Sequence, residues 1–156
     1  MLILIRGAGD IATGIALRLH RAGMQVVMTD LPHPTAIRRT VCFSPAIALG
    51  AAEVEGVRAV CARDVPHART LLAAGAVPVL ADPDCLCRRE LRPDALVDAI
   101  LAKRNLGTTL TDAPVVIGVG PGFTAGTDCH AVVETMRGHT LGRVIYEGSA
   151  LPNTNI

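Results

Sequence analysis

The sequence predicts an α/β protein: a Rossmann-like parallel sheet with flanking helices and a small C-terminal β-hairpin. Three observations carry that prediction. Apolar runs of strand length alternate with helix-like segments across residues 2–81, and β-α-β-α-β alternation builds a parallel sheet covered by helices. The first run, at 2–5, leads directly into Gly7-Ala8-Gly9-Asp10-Ile11-Ala12. This is the Ala-ended form of the G-x-G-x-x-G fingerprint, which holds a pyrophosphate at a helix N-terminus. A second glycine-rich loop, Gly120-Pro121-Gly122-Phe123-Thr124-Ala125-Gly126, follows the buried-strand pattern of residues 114–119. Loops at the carboxyl ends of strands in an open parallel sheet form the ligand crevice, so this loop is expected on the same rim as Gly7 and Ala12.

Each element has a local reason. Gly7 supplies the tight turn, Gly9 lets a phosphate approach the backbone, and Ala12 lets the following helix pack close to its strand. Ile11, Ala12, Ile15, Ala16 and Leu19 make one apolar helix stripe, and Gly23 is its stop. A second strand at 25–29 ends on Asp30, 23 positions after Gly7, close to the roughly 20 expected of the acid that binds ribose hydroxyls. Beyond a proline-broken loop, Ser44-Pro45 opens a short helix that stops at Gly50. Residues 57–61 read as the third strand. Asp64 caps the next helix, with Pro66 in its first turn and Gly75 after it, and residues 77–81 are the fourth strand. Residues 94–101 satisfy helical spacing as well as a short buried strand; sheet-building favours a strand ending near Asp98. Residues 131–135 and 141–146 read as a hairpin outside the parallel sheet.

At 156 residues the chain suits one domain with a small appendage. Residues 1–126 are expected to form the nucleotide-binding domain and residues 127–156 the hairpin and tail. The tail from 148 has no core pattern, and a further module is expected beyond it. Only Phe43, Phe123 and Tyr146 are aromatic, so the core must be Val, Leu, Ile and Ala, without stacking platforms for single-stranded nucleic acid. A net charge of +1 with no basic block argues against DNA or RNA partners. No apolar run reaches membrane-spanning length, and the N-terminal strand with Arg6 and Gly7 is no signal peptide. The five cysteines, Cys42, Cys61, Cys85, Cys87 and Cys129, are then expected as reduced thiols in the cytoplasm.

The candidate ligand-binding residues are Gly7, Gly9, Asp10, Ile11, Ala12 and Asp30, joined by Arg38, Arg39, Lys103, Gly120, Gly122 and Phe123 on the predicted rim. Arg38-Arg39 is either a solvated turn or an anion clamp. Asp30 without an immediately following arginine favours NAD or another adenine nucleotide over NADP. Cys85-Leu86-Cys87 has no second cysteine pair or histidine to complete a metal site, so no metal is expected. Cys129-His130 has the residue types of a nucleophile and base, but neighbours on a strand point to opposite faces.

Five segments carry a family resemblance: R-G-A-G-D-I-A-T-G at 6–14, R-R-T at 38–40, D-A-I-L-A-K-R-N-L-G-T at 98–108, G-P-G-F-T-A-G at 120–126 and C-H-A-V-V-E-T-M-R-G-H-T-L-G-R-V-I at 129–145. Together they resemble the YqeB-type accessory proteins of selenium-dependent molybdenum hydroxylases, which are similar in turn to the XdhC/CoxI accessory factors of xanthine dehydrogenase. Pro152-Asn153-Thr154-Asn155 stands where family members continue through a P-N-T-G segment, and the Cys85–Cys87 pair is not part of the family pattern. The resemblance implies a cytoplasmic maturation protein that handles the molybdenum cofactor, binds NAD or a related dinucleotide or a molybdopterin-type ligand, and docks on a hydroxylase; self-association is left open. Two alternatives stand beside it. One is an NAD-dependent oxidoreductase, with Asp98, Lys103 and His130 as candidate proton donors. The other is a nucleotide-binding domain without chemistry.

Overall fold

The computed structural model describes residues 1–35 and 39–152, with Arg39 described through its backbone alone. Nine strands form one sheet: β1 (Leu2–Arg6), β2 (Gln25–Asp30), β3 (Ala51–Val54), β4 (Val57–Ala62), β5 (Val77–Ala81), β6 (Ala95–Asp98), β7 (Val115–Val119), β8 (Ala131–Val133) and β9 (Val144–Ile145). Their order is β3-β4-β5-β2-β1-β6-β7-β8-β9. From β4 to β8 every neighbour is parallel. The two edges are closed antiparallel, by β3 on β4 and by β9 on β8. The fold is Rossmann-like. After β5 the chain crosses to the other side of β1, so the strand order reverses between β1 and β6, and that reversal is where open α/β sheets bind ligands.

Alternation along the strands builds two cores. Ile3, Ile5, Val26 and Met28 face α1 (Asp10–Arg21) and α2 (Pro45–Leu49). Leu4, Val27, Leu96 and Val116 face α3 (Val65–Ala73) and α4 (Arg88–Leu91). Each such side chain withdrawn from water contributes about 1.5–3 kcal/mol. Helix ends follow the glycines: Gly23, Gly50 and Gly75 all take positive φ directly after a helix, the left-handed stop that lacks a Cβ penalty. Asp64 caps α3, its carboxylate accepting the His67 N–H at 2.8 Å. Ser44 takes the N-cap position of α2 without a side-chain cap bond; its hydroxyl lies 3.3 Å from the Cys42 thiol instead.

Two parts of the sheet depart from the sequence reading. Residues 51–54 form β3, a strand the apolar pattern does not announce. Its signal is the turn: Glu55 and Gly56, both at positive φ, make the two-residue connection between the paired Val54 and Val57, as a tight hairpin requires. The C-terminal hairpin, expected outside the parallel sheet, continues it. Ile117 pairs with Ala131 and Val119 with Val133 in parallel register, because the glycine-rich loop returns the chain alongside β7. Among the described residues, no helix is long and apolar enough to cross a membrane.

Candidate functional site

The rim is built where β1 ends. Gly7 holds φ +106, and a Cβ there would lie 2.9 Å from the Ala99 carbonyl oxygen, so no other residue fits the turn. Its N–H donates to the Thr29 carbonyl at 2.8 Å. Gly9 is different. It caps α1 at an ordinary φ of −73, and a Cβ on it would meet nothing within 4 Å. That open space lies over the start of a 12-residue helix, whose positive end favours an anion; in this structure the Ile11 N–H donates to the Asp10 carboxylate at 2.9 Å. The loop is braced from behind. The buried Thr13 hydroxyl donates to the Ala8 carbonyl and accepts the Phe43 N–H, and the Ser44 N–H reaches the same Ala8 carbonyl.

A cavity of about 760 Å³ opens over this loop, within the 300–1,000 Å³ of small-molecule sites. Gly7, Gly9, Asp10, Ile11 and Ala12 line one side, and Thr29 and Asp30 continue it from β2. Ala99, Ile100 and Leu101, which follow β6, close the opposite side with Leu106. Asp30 accepts the Leu31 N–H at 2.7 Å. Partial burial raises its carboxyl above the ordinary value, against the backbone N–H groups of Leu31 and Ala8.

Arg6 also lines the cavity, though it is only 3% exposed. One guanidinium nitrogen donates to the Thr108 hydroxyl at 2.9 Å, and that hydroxyl donates to the Asp98 carboxylate at 2.6 Å. The other terminal nitrogen donates to the Pro83 carbonyl at 2.9 Å. Arg6 Nε is buried without a partner among the described residues. Asp98 Oδ1 additionally accepts the Ile100 N–H at 3.2 Å. A charge closing a buried strand at the carboxyl rim is the signal that could have marked Arg6.

The remaining predicted residues lie apart from the cavity lining. Lys103 is exposed. Gly120 and Gly122 stand on the same rim but behind the segment that follows β6. A Cβ on Gly120 would lie 2.8 Å from Leu101 Cδ2, and one on Gly122 would lie 2.6 Å from Arg104 Cα. The second glycine loop therefore buttresses a cavity wall. Phe123 turns into the core, its ring packed where a Cβ on Gly118 would sit, 2.5 Å from Cγ. Arg38 and the Arg39 side chain lie outside the described residues. Of the Cys129–His130 pair, Cys129 is buried and His130 exposed, and His130 Nδ1 accepts the Val116 N–H at 2.9 Å. Burial raises the Cys129 thiol above its ordinary value.

The chain is similar to YqeB. It is 55% identical over 155 residues to "Uncharacterized protein YqeB" of Escherichia coli (strain K12). The match takes in 99% of this chain, both glycine loops included, and 29% of that protein, so the chain spans less than a third of the relative's length. No family model matches the chain, and no solved structure does.

Proposed function

We propose that this chain is the nucleotide-binding part of an accessory protein that matures a molybdenum hydroxylase, and that its cavity takes NAD or a related dinucleotide. The observation that carries the binding reading is the open space over Gly9, at the N-terminus of α1 and at the reversal of strand order, with Asp30 on the same cavity. The diphosphate would lie over Gly9 on the helix N-terminus, and Asp30 would accept the adenosine ribose hydroxyls. Nicotinamide, if it is the second base, would supply hydride chemistry at the end away from Asp30. The maturation role rests on the five sequence segments and their resemblance to the molybdenum hydroxylase accessory proteins, and a molybdopterin nucleotide offers the same diphosphate to the same helix.

An oxidoreductase reading would need a proton donor in the cavity, and its candidates fall short. Asp98 is 1% exposed and committed to Thr108 and Ile100. Lys103 and His130 do not line the cavity. Calorimetry with NAD, NADP and a molybdopterin nucleotide tests the reading, with Gly9→Val as control. A Cβ at Gly9 meets nothing within 4 Å and the φ there is ordinary, so the fold is expected to survive while nucleotide affinity falls at least tenfold. Unchanged affinity in that variant would reject the site. Co-purification with a hydroxylase, without NADH consumption, is the expected outcome for the maturation role.

A further inference from the structure

The cavity wall opposite Gly9 leaves part of its main chain unspent. In the segment that follows β6, the Ala99 N–H donates to the Arg6 carbonyl at 2.9 Å and the Ile100 N–H to the Asp98 carboxylate at 3.2 Å. Further along, the Asn105 side chain accepts the N–H groups of Gly107 and Thr108 at 3.0 and 2.8 Å. Between these, the N–H groups of Leu101 and Ala102 meet no acceptor among the described residues. Both residues line the cavity. A main-chain N–H withdrawn from water needs an acceptor, so a ligand that covers this wall gains by bringing one.

Leu101 presents its backbone here rather than its side chain. It takes a left-handed φ of +60, rare for a bulky residue and most often met at ligand sites. Its side chain leads back into the protein: a Cβ on Gly120 would lie 2.8 Å from Leu101 Cδ2, and Leu101 packs against the core beneath α1. The stretch is held at both ends, Ala99 against Gly7 and Arg104 against Gly122. The wall also differs in chemistry from the Asp30 side. Asp30 and Asp84 line the cavity there, whereas residues 99–106 contain no acid. Ile100 and Leu106 are the apolar groups that this wall brings to the cavity. Leu106 is 41% exposed, with its carbonyl 3.4 Å from an Arg6 guanidinium nitrogen. Apolar surface with a few placed donors is how small-molecule sites hold and orient a ring.

We propose that residues 100–106 form the site of the ligand's second ring, a planar heterocycle bearing a carbonyl or carboxamide oxygen. Ile100 and Leu106 lie against the ring, and the N–H groups of Leu101 and Ala102 donate to its oxygen. This rests on the reading of the cavity as a dinucleotide site, with the diphosphate at Gly9 and a ribose at Asp30. Nicotinamide carries such an oxygen on its carboxamide and a pterin carries one on its ring, so the wall reads the edge that the two share.

The test titrates the unmutated full chain with NAD and with ADP-ribose, which lacks the second ring, and with a molybdopterin nucleotide and its plain nucleoside diphosphate. Calorimetry reads affinity, and heteronuclear NMR follows the amide signals. The intact ligand is expected to bind about tenfold tighter than its truncated partner, the scale of one or two net hydrogen bonds. The Leu101 and Ala102 amide protons should move with the intact ligand alone, while the Gly9 amide responds to both. A response to NAD marks the carboxamide as the group read, and a response to the molybdopterin nucleotide marks the pterin. Leu106→Ser should remove most of the difference between NAD and ADP-ribose by weakening NAD. Equal affinity of intact and truncated ligands, or Leu101 and Ala102 amides that move as far with ADP-ribose as with NAD, would overturn the ring site and leave the dinucleotide reading standing. No binding of any of the four would overturn both.

Discussion

Under the proposed function, the two duties of Asp30 oppose each other. Its folded pKa is raised above the ordinary 3.8 by burial, so its contribution to stability is full below 3.8 and is lost as the pH rises through the folded value. A ribose, by contrast, needs the ionised form as acceptor. Asp30→Asn is therefore expected to leave the unliganded protein slightly more stable at neutral pH. It should weaken NAD by about 10–100-fold, the equivalent of a charge-assisted hydrogen bond of roughly 1.5–3 kcal/mol, and erase the preference over NADP. Melting and titration at pH 7 measure both effects, and NAD affinity of the unmutated chain should fall as the pH drops through a value above 3.8. Glu134 has the opposite sign. Burial opposes its charge, but the N–H groups of Leu151, Met136 and Thr135, with Arg143, hold its carboxyl below the ordinary 4.5. Its stabilisation is present above 4.5 and lost as the pH falls through the folded value. Glu134→Ala strands those donors at about 1–3 kcal/mol for each left buried. Denaturant melts should show the loss at pH 7 and a shallower acid limb than the unmutated chain.

At the scale of elements, the fingerprint, its helix and the strand ending on Asp30 were readable because each rests on local chemistry: a glycine turn, a 3.6-residue stripe, an alternating apolar run. The segment after β6 was not readable, because its shape is set by neighbours distant in sequence. Two glycines clasp it from either side, Gly7 against Ala99 and Gly122 against Arg104. Sequence reasoning assigned Gly122 to ligand contact when the close approach was to protein backbone, and it put Phe123 at the ligand when the ring fills the space over Gly118. A paired experiment separates the two kinds of glycine. Gly122→Ala, at φ +105 with its Cβ 2.6 Å from Arg104 Cα, should cost about 1–3 kcal/mol by overpacking and weaken ligand through the displaced wall. Gly9→Ala, with nothing within 4 Å, should cost only the N-cap preference of glycine over alanine, about 1 kcal/mol or less. Equal destabilisation in the two variants would contradict the wall's dependence on Gly122.

Across the whole molecule the cavity lies between an early and a late stretch of chain. Residues 6–35 supply one side and residues 83–106 the other. The polar tie across them is Arg6 to Thr108, Asp98, Pro83 and Leu106. Arg6→Ala should therefore cost about 3–5 kcal/mol by leaving the Asp98 charge buried and alone, and adding Asp98→Asn should recover part of that loss in the same denaturant melt.

The pairing of Ile3 with Ala95 at the centre of the sheet also sets a clock on folding. Contacts so far apart in sequence must first overcome loop-closure entropy and form slowly. A partly folded chain with β1, β2, β4 and β5 assembled has the fingerprint but no opposite wall. The proposed ligand would then recognise only the finished molecule, and at a hundredfold excess over Kd it would deepen that state by about 2.7 kcal/mol. A nucleotide bound as proposed would work as a late-closing latch: it would slow reopening without accelerating assembly.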